Sequence, residues 1–238
     1  MKNLKLMSLV MLILSVSIYG DDNEIYIDQS GDTSNIDLEQ LGSGNIIGGL
    51  DSTAGSLTPL DLDGDSLNLI LNQIGDSNTF LGDILGDNIT GYFNFDGNSN
   101  AFTIQVDPTN TYGADGSNFN VQTTGDSNTF SLDVATNAMA SNTDLDWIIN
   151  GSSNTLSFDI DIDGATSYLD IDGDSNTVTY DGDGYANGYF YLDQTGNSRT
   201  FNIQQQSTLA SDWLKIISNG NSGTLCIIQD DNGTAVGC

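Results

Sequence analysis

The stretch Gly125-Asp126-Ser127-Asn128-Thr129-Phe130 decides the fold, because the same word recurs along the chain. Glycine is followed by Asp, Asn or Ser, then by Ser, then usually by Asn-Thr, and then by an apolar residue. The copies begin at Gly75, Gly97, Gly125, Gly151, Gly173, Gly196 and Gly220, which are 22 to 28 residues apart. Internal repeats of this length are typical of solenoids, in which each unit buries its apolar face against the next.

Apolar residues keep fixed positions relative to these glycines. One lies four residues before each glycine and another lies five residues after it. The position seven residues after the glycine is also apolar, except at Gly82. This alternation is that of a β-strand with one buried face, and the glycine permits a tight turn between two strands. The sequence therefore predicts an all-β solenoid of stacked strand–turn–strand repeats of about 22 residues.

Five asparagines in the repeat share the register of the inward apolar positions. They are Asn78, Asn100, Asn128, Asn154 and Asn176. A polar side chain that points inward must be hydrogen-bonded, and identical stacked asparagines can form a ladder. We predict a structural ladder, and a binding site is the alternative. The Ser two residues after each glycine and the Thr four residues after it belong to the outward face.

The two ends of the chain carry different signals. Residues 1–20 read as a secretory signal peptide, with Lys2 and Lys5 at a positive start, an apolar run over 4–16, and small residues before Asp21. We expect a secreted protein, extracellular or at the cell surface, with no membrane insertion once the signal is removed. Residues 21–238 form the single predicted solenoid domain. Cys226 and Cys238 are a candidate disulfide in an exported chain.

Three segments depart from the regular pattern. We expect loops at residues 107–120 and 135–146, where two units are longer than the others. No convincing helix is predicted, and residues 208–214 are the only weak candidate.

The charge of the chain excludes one large class of partners. The whole sequence has a net charge of −29, and removal of Lys2 and Lys5 leaves Arg199 and Lys215 against 33 acidic residues, a net charge of −31. Such a surface cannot neutralise a phosphate backbone, so nucleic-acid binding is excluded, and anionic membranes are unfavourable partners. Cations and basic proteins are the plausible counter-charges.

The residue types argue against catalysis and leave calcium open. The chain has no His, and its Ser and Asp recur in every unit, whereas a catalytic site is built once. We therefore predict no enzymatic activity and no required cofactor. Two Asp-rich turns suit calcium, which prefers oxygen ligands, and a solvated acidic face is the alternative. The candidate ligands are Asp61, Asp63, Asp65, Asp170, Asp172 and Asp174.

Several units resemble the repeats of curlins, the subunits of curli amyloid fibres. The shared pattern is an apolar residue, then x-Gln-x-Gly-x-x-Asn, as in Leu38-Glu39-Gln40-Leu41-Gly42-Ser43-Gly44-Asn45 and Leu71-Asn72-Gln73-Ile74-Gly75-Asp76-Ser77-Asn78. The resemblance implies a β-solenoid secreted through an outer-membrane pore and polymerised end to end, alone or with other fibre subunits. We therefore expect an extracellular fibre subunit or minor component that acts in adhesion and in the biofilm matrix.

A second function remains open at this point. Thr129-x-Ser131, Thr155-x-Ser157 and Thr177-x-Thr179 are outward steps that resemble the arrays of ice-binding solenoids. Ordinary strand preference for Thr explains them equally. The alternative to a fibre subunit is thus a monomeric β-solenoid binding module, either a calcium-dependent adhesin or an ice-binding protein.

Overall fold

A computed structural model describes residues 24–50, 57–106, 115–135, 143–161, 164–184, 188–207 and 213–230. These residues form β-strands, turns and bends and contain no helix. Accordingly, none of them belongs to a helix long and apolar enough to cross a membrane. The predicted signal peptide, residues 1–20, lies outside the described residues.

Nearly all strands belong to two parallel sheets, which we name sheet A and sheet B. Sheet B has eight strands, which neighbour one another in chain order. They are β3 (Asn35–Leu41), β8 (Asn68–Ile74), β10 (Thr90–Asp96), β12 (Asn118–Thr124), β14 (Asp144–Asn150), β16 (Thr166–Asp172), β18 (Tyr189–Thr195) and β20 (Trp213–Asn219).

Sheet A contains the strands that alternate with these along the chain. They are β1 (Glu24–Ile25), β2 (Asp28–Ser30), β4 (Ile46–Ile47), β7 (Leu60–Asp63), β9 (Thr79–Leu85), β11 (Ala101–Val106), β13 (Thr129–Ala135), β15 (Thr155–Asp161), β17 (Thr177–Gly184), β19 (Arg199–Ser207) and β21 (Gly223–Asp230). A short antiparallel hairpin, β5 (Gly49–Leu50) and β6 (Leu57–Thr58), stands apart.

Each coil contains one sheet B strand, a glycine turn and one sheet A segment, and a second connection leads to the next coil. The predicted β-solenoid is therefore confirmed. Successive coils are offset by 22 to 28 residues from Gly75 onward, because the second connection varies in length. The first offset is 33 residues, as between Gln40 and Gln73, because the β5–β6 hairpin interrupts the sheet A segment of the first complete coil, between β4 and β7.

The core lies between the two sheets and is continuous along the solenoid. Strands such as β8 and β10 alternate buried and accessible residues, as the sequence pattern predicts. Aromatic rings contact one another from coil to coil, with centroid separations of 5.1 Å for Phe102–Phe130 and 5.6 Å for Phe130–Trp147. Because each ring packs on neighbours in adjacent coils, no unit has a complete core by itself.

The turn glycines are required for two reasons. Gly151 has a φ of +154°, which side chains rarely tolerate, and a Cβ on it would lie 1.9 Å from the carbonyl oxygen of Gly125 in the preceding coil. The other six glycines of the repeat word meet the preceding turn glycine in the same way. At Gly82 the ring of Phe80 occupies the space of a side chain, 2.7 Å from an added Cβ, which accounts for the exception in the apolar column.

Parts of the expected loops and of the weak helix candidate are strand. Strand β12 begins at Asn118, β13 includes Ala135, and β14 begins at Asp144, so the loop predictions were wrong for residues 118–120, 135 and 144–146. The physical reason is that Phe119 and Leu145 are buried in the core columns. Residues 213 and 214 likewise begin β20. Residues 115–117 and 143 are turn or irregular, as predicted, and residues 107–114, 136–142 and 208–212 lie outside the described residues.

Gly151→Ala and Gly31→Ala separate backbone strain from steric overlap. Gly31 has a φ of +135°, yet nothing lies within 4 Å of an added Cβ. We expect Gly31→Ala to cost about 1–2 kcal/mol through backbone strain alone, and Gly151→Ala to cost about 3 kcal/mol or more through strain plus overlap. Thermal unfolding followed by circular dichroism measures both. Equal losses would contradict the steric role of the stacked carbonyl.

Candidate functional site

The turns that begin at Gly42, Gly75, Gly97, Gly125, Gly151, Gly173, Gly196 and Gly220 stack along one edge of the solenoid, which we call the turn edge. In the seven repeat words the Ser two residues after the glycine has a φ between 53° and 62°. These serines are exposed, as expected for an outward column. Their left-handed conformation is uncommon for a residue with a side chain, so each turn contains two residues with positive φ.

The five predicted asparagines lie on the inner side of the turn edge and are at most 2 % exposed. The Oδ1 atom of each accepts a hydrogen bond from the backbone N–H of the equivalent residue in the preceding coil. Asn78 N–H donates to Asn100 at 2.7 Å, and Asn100 N–H donates to Asn128 at 2.8 Å. The series continues through Asn154 and Asn176. We call it the inner ladder, and it begins one coil earlier, where Asn45 N–H donates to Asn78.

A second ladder runs along the outer side of the same turns and was missed by the sequence reading. The residue directly after the turn glycine accepts a hydrogen bond from the equivalent N–H of the following coil. Asn98 N–H donates to Asp76 at 2.7 Å, and Asp126 N–H donates to Asn98 at 2.7 Å. The bonds continue through Ser152, Asp174, Asn197 and Asn221. The available signal was the restriction of this position to Asp, Asn and Ser, which are short side chains with an acceptor oxygen.

The inner and outer ladders point in opposite directions along the solenoid. Inner side chains accept from the coil before them, and outer side chains accept from the coil after them. Each turn is therefore tied to both neighbours by side chain to backbone bonds as well as by the strand ladder. These bonds satisfy turn N–H groups that strand pairing does not reach.

Arg199 lies three residues after the turn glycine Gly196, at the position where five of the repeat words have asparagine. Its Nη1 donates to the carbonyl of Gly196, the turn glycine of its own coil, much as Asn78 Nδ2 donates to the carbonyl of Gly75 at 2.7 Å. A guanidinium has no acceptor atom. It cannot receive the N–H of Asn176, so the inner ladder ends at that residue.

The proposed calcium ligands do not converge. The carboxylate of Asp174 belongs to the outer ladder and accepts the N–H of Asn197 at 2.6 Å. The carboxylate of Asp65 makes a similar bond at the turn that begins at Gly64, where it accepts the N–H of Asp87 at 3.0 Å. Asp61 and Asp63 lie on β7, and Asp170 and Asp172 lie on β16. Within the part of the chain that the structure describes, no group of three or more His, Cys, Asp or Glu residues is placed to hold a metal ion.

Parallel register instead collects carboxylates into columns on the outer faces. On sheet A, Asp133 lies beside Asp159, and burial, the charge of Asp159 and an opposing hydrogen bond from Gln105 leave the Asp133 pKa above its usual value. Burial and the neighbouring Asp28 and Asp63 raise the pKa of Asp61. On sheet B, burial raises the pKa of Asp170, and Asp193, Asp172 and Asp146 raise it further. These columns are acidic faces in which the charges disfavour one another.

The outward Thr and Ser residues of sheet A also form registered columns. Thr129, Thr155 and Thr177 are direct strand neighbours, and Ser131, Ser157 and Thr179 form the adjoining column. Leu81, Asn202 and Cys226 belong to that second column and interrupt it at its ends.

Sheet B carries aromatic side chains at its C-terminal end. Tyr189 stacks on Trp213 with ring centroids 4.3 Å apart, and Tyr168 stacks on Tyr191 at 4.8 Å. The Nζ atom of Lys215 lies 4.9 Å from the Tyr191 ring centroid. The two ring planes are within 5° of parallel in each pair, so the rings cover one another's faces.

The C-terminal coil differs from all others in the exposure of its core positions. Leu225 is 53 % exposed and Ile227 is 42 % exposed, whereas Phe201 and Ile203, their neighbours in the preceding coil, are buried. Strands β20 and β21 each pair on one side only among the described residues. Cys226 lies on β21, and Cys238 lies outside the described residues, so the disulfide between them stays a prediction.

Asn98→Leu and Asn100→Leu compare the two ladders within one turn. Both side chains accept a backbone hydrogen bond of 2.7 Å, but Asn100 is buried and Asn98 is exposed. We expect Asn100→Leu to cost about 1–3 kcal/mol, because the Asn78 N–H loses its partner away from water, and Asn98→Leu to cost about 1 kcal/mol or less. Denaturant unfolding checks the order, and a larger loss at Asn98 would contradict a structural inner ladder.

Mild acidification from neutral pH should increase the free energy of unfolding. A carboxyl whose pKa is raised in the folded state binds its proton more tightly there than in the unfolded chain, where the value is near 3.8. Stability should therefore rise as pH falls from neutral through the raised pKa of Asp133, with the full gain reached below the unfolded value.

Asp133→Asn tests this explanation at neutral pH. We expect it to raise Tm at pH 7 by about 1–3 °C and to reduce the dependence of Tm on pH. Asp126→Asn is the matched control, since it removes one charge but keeps a ladder acceptor at an exposed position. A Tm that falls steadily from pH 7 to pH 4 in the unmodified protein would contradict the argument.

Comparison with known proteins adds no relative to these observations. No protein family model matches the chain, and no curated protein or solved structure is significantly similar to it. The similarity to curlins and to ice-binding solenoids consequently rests on the repeat residues alone.

Proposed function

We propose that this protein is a secreted structural subunit without enzymatic activity, which assembles end to end into an extracellular fibre. Its place would be in adhesion or in a biofilm matrix, alone or with other fibre subunits. Export through an outer-membrane pore, as the curlin resemblance implies, is part of this proposal.

The observation that carries the proposal is the open C-terminal end. Among the described residues, strands β20 and β21 pair with another strand on one side only, and the core columns end there in exposed Leu225 and Ile227. An open edge of this kind is a template for pairing with another chain. Because successive coils inside the molecule join by parallel, in-register pairing, pairing of the same kind can attach another copy at this edge.

The N-terminal end offers the complementary surface. Strand β3 pairs only with β8 among the described strands, and Ile25, Ile27 and Ile36 are only partly buried although they pack against the core. Two apolar ends on one rod support linear growth, since burying both removes apolar area from water at each joint.

The Thr and Ser columns of sheet A favour a second candidate, a monomeric binding module such as an ice-binding protein. Thr129, Thr155 and Thr177 stand in strict register, as a repeating ligand lattice would require. A monomeric binding module gives no reason for the exposed Leu225 and Ile227 at the C-terminal end, whereas a fibre subunit does. The fibre therefore accounts for more of the structure.

Protein purified without its predicted signal peptide should form unbranched fibres that bind thioflavin T and diffract at about 4.8 Å along the fibre axis. Assembly should be slow at neutral pH in low salt, because copies of charge −31 repel one another, and faster with added salt or at pH near 4. Light scattering and electron microscopy follow it. A chain that stays monomeric for days at high concentration in salt, and inhibits ice recrystallisation, would favour the binding module instead.

A further inference from the structure

We infer that Asn219 is a site of spontaneous deamidation in the folded protein, because the backbone N–H of the next residue, Gly220, has no partner among the described residues. Asn150-Gly151 is the other Asn-Gly pair of which the structure describes both residues, and it supplies an internal comparison. This chemistry does not depend on the proposed fibre assembly.

An asparagine that precedes glycine is the form most prone to deamidation, because glycine has no Cβ to hinder the attacking nitrogen. The deprotonated backbone nitrogen of the glycine attacks Cγ of the asparagine, a C–N bond forms, and the side-chain amide nitrogen leaves as ammonia. Water then opens the five-membered imide at either carbonyl, which gives aspartate or isoaspartate. A glycine N–H that is held in a hydrogen bond must be released before its nitrogen can attack.

The hydrogen bond of the turn glycine is missing only in the last coil of the described turn edge. Every turn glycine before Gly220 on this edge donates its N–H to a carbonyl of the following coil. Gly151 N–H donates to Asp172 at 2.8 Å, and Gly196 N–H donates to Asn219 at 2.9 Å. The nitrogen of Gly151 therefore becomes available only through local opening, whereas that of Gly220 needs no such bond to break.

Local conformation and side-chain exposure do not distinguish the two pairs. Asn150 ends β14 and Asn219 ends β20, each directly before its turn glycine, and both side chains are exposed. Gly151 has a φ of +154° and Gly220 has a φ of +147°. The pairs differ in the partner of the glycine N–H and in the exposure of the glycine, since Gly220 is exposed and Gly151 is partly buried.

The two products of the reaction should affect the last coil differently. Aspartate fits this position, since Asp96 and Asp172 each stand directly before a turn glycine in other coils. Isoaspartate adds a carbon to the main chain between β20 and the turn. Gly220 lies so close to Gly196 that an added Cβ would be 1.8 Å from its carbonyl oxygen. We therefore expect the isomer to displace the last turn from the turn edge.

Mass spectrometry of peptides from the folded, soluble protein at mildly alkaline pH tests the site. We expect Asn219 to convert at least about tenfold faster than Asn150, because local opening must precede attack by Gly151. In denaturant the two rates should converge, since neither glycine N–H is then held. Equal rates in the folded protein, or no conversion at Asn219 while the denatured chain reacts, would overturn the inference.

Thr195→Asn separates the missing hydrogen bond from nearness to the C-terminal end. The substitution creates an Asn-Gly pair one coil earlier, at an exposed position in register with Asn219, and Gly196 N–H keeps its carbonyl partner. We expect the new asparagine to react as slowly as Asn150, and conversion as fast as at Asn219 would contradict the role of the hydrogen bond. Asn219→Gln should abolish the signal of its peptide, whereas a signal that persists would place the reaction at Asn221 instead.

Discussion

The close approach of successive turn glycines is the constraint on which the rest of the structure depends. The backbone of each turn lies so near the carbonyl of the turn before it that a Cβ at Gly125 or Gly173 would overlap that oxygen at 2.0 Å. This contact fixes one coil directly above another without a shift. Because the coils do not shift, every column on both sheets follows, whether it is apolar, amide, hydroxyl or carboxylate.

Unshifted stacking brings like side chains together, and the outcome depends on the side chain. Asparagine has an acceptor and a donor, so stacked copies bond to the backbone of neighbouring turns, as Asn100 and Asn128 do. Aromatic rings gain contact area, as between Tyr168 and Tyr191 at 4.8 Å. Burial is the main cause of the raised pKa of Asp133 and Asp170, and repulsion from the neighbouring aspartates raises it further. The acidic columns thus oppose the stacking that the interior favours.

The sequence allowed prediction of the solenoid, its strand faces and the inward asparagines, because these follow from strict local periodicity. Other features depend on contacts between coils. The partners of Asp76 and Asn98 in the outer ladder, and the positive φ of the serines, cannot be read from a single unit. The 33-residue offset between Gln40 and Gln73 was hidden because glycine spacings of 11 and 22 residues fit a regular repeat equally well. The end of the inner ladder at Arg199 follows from hydrogen-bond geometry in the folded chain.

All differences in coil length after Gly75 fall in the connections from a sheet A strand to the next sheet B strand, and the turn edge keeps one constant length. An added residue in the turn edge would move a whole strand to the wrong face, whereas the opposite connections can lengthen without moving any column. The turn edge therefore keeps the same length in every coil, and the opposite edge contains all the variation in length. A foreign segment inserted between β11 and β12, or between β13 and β14, would therefore leave the columns of both sheets in place.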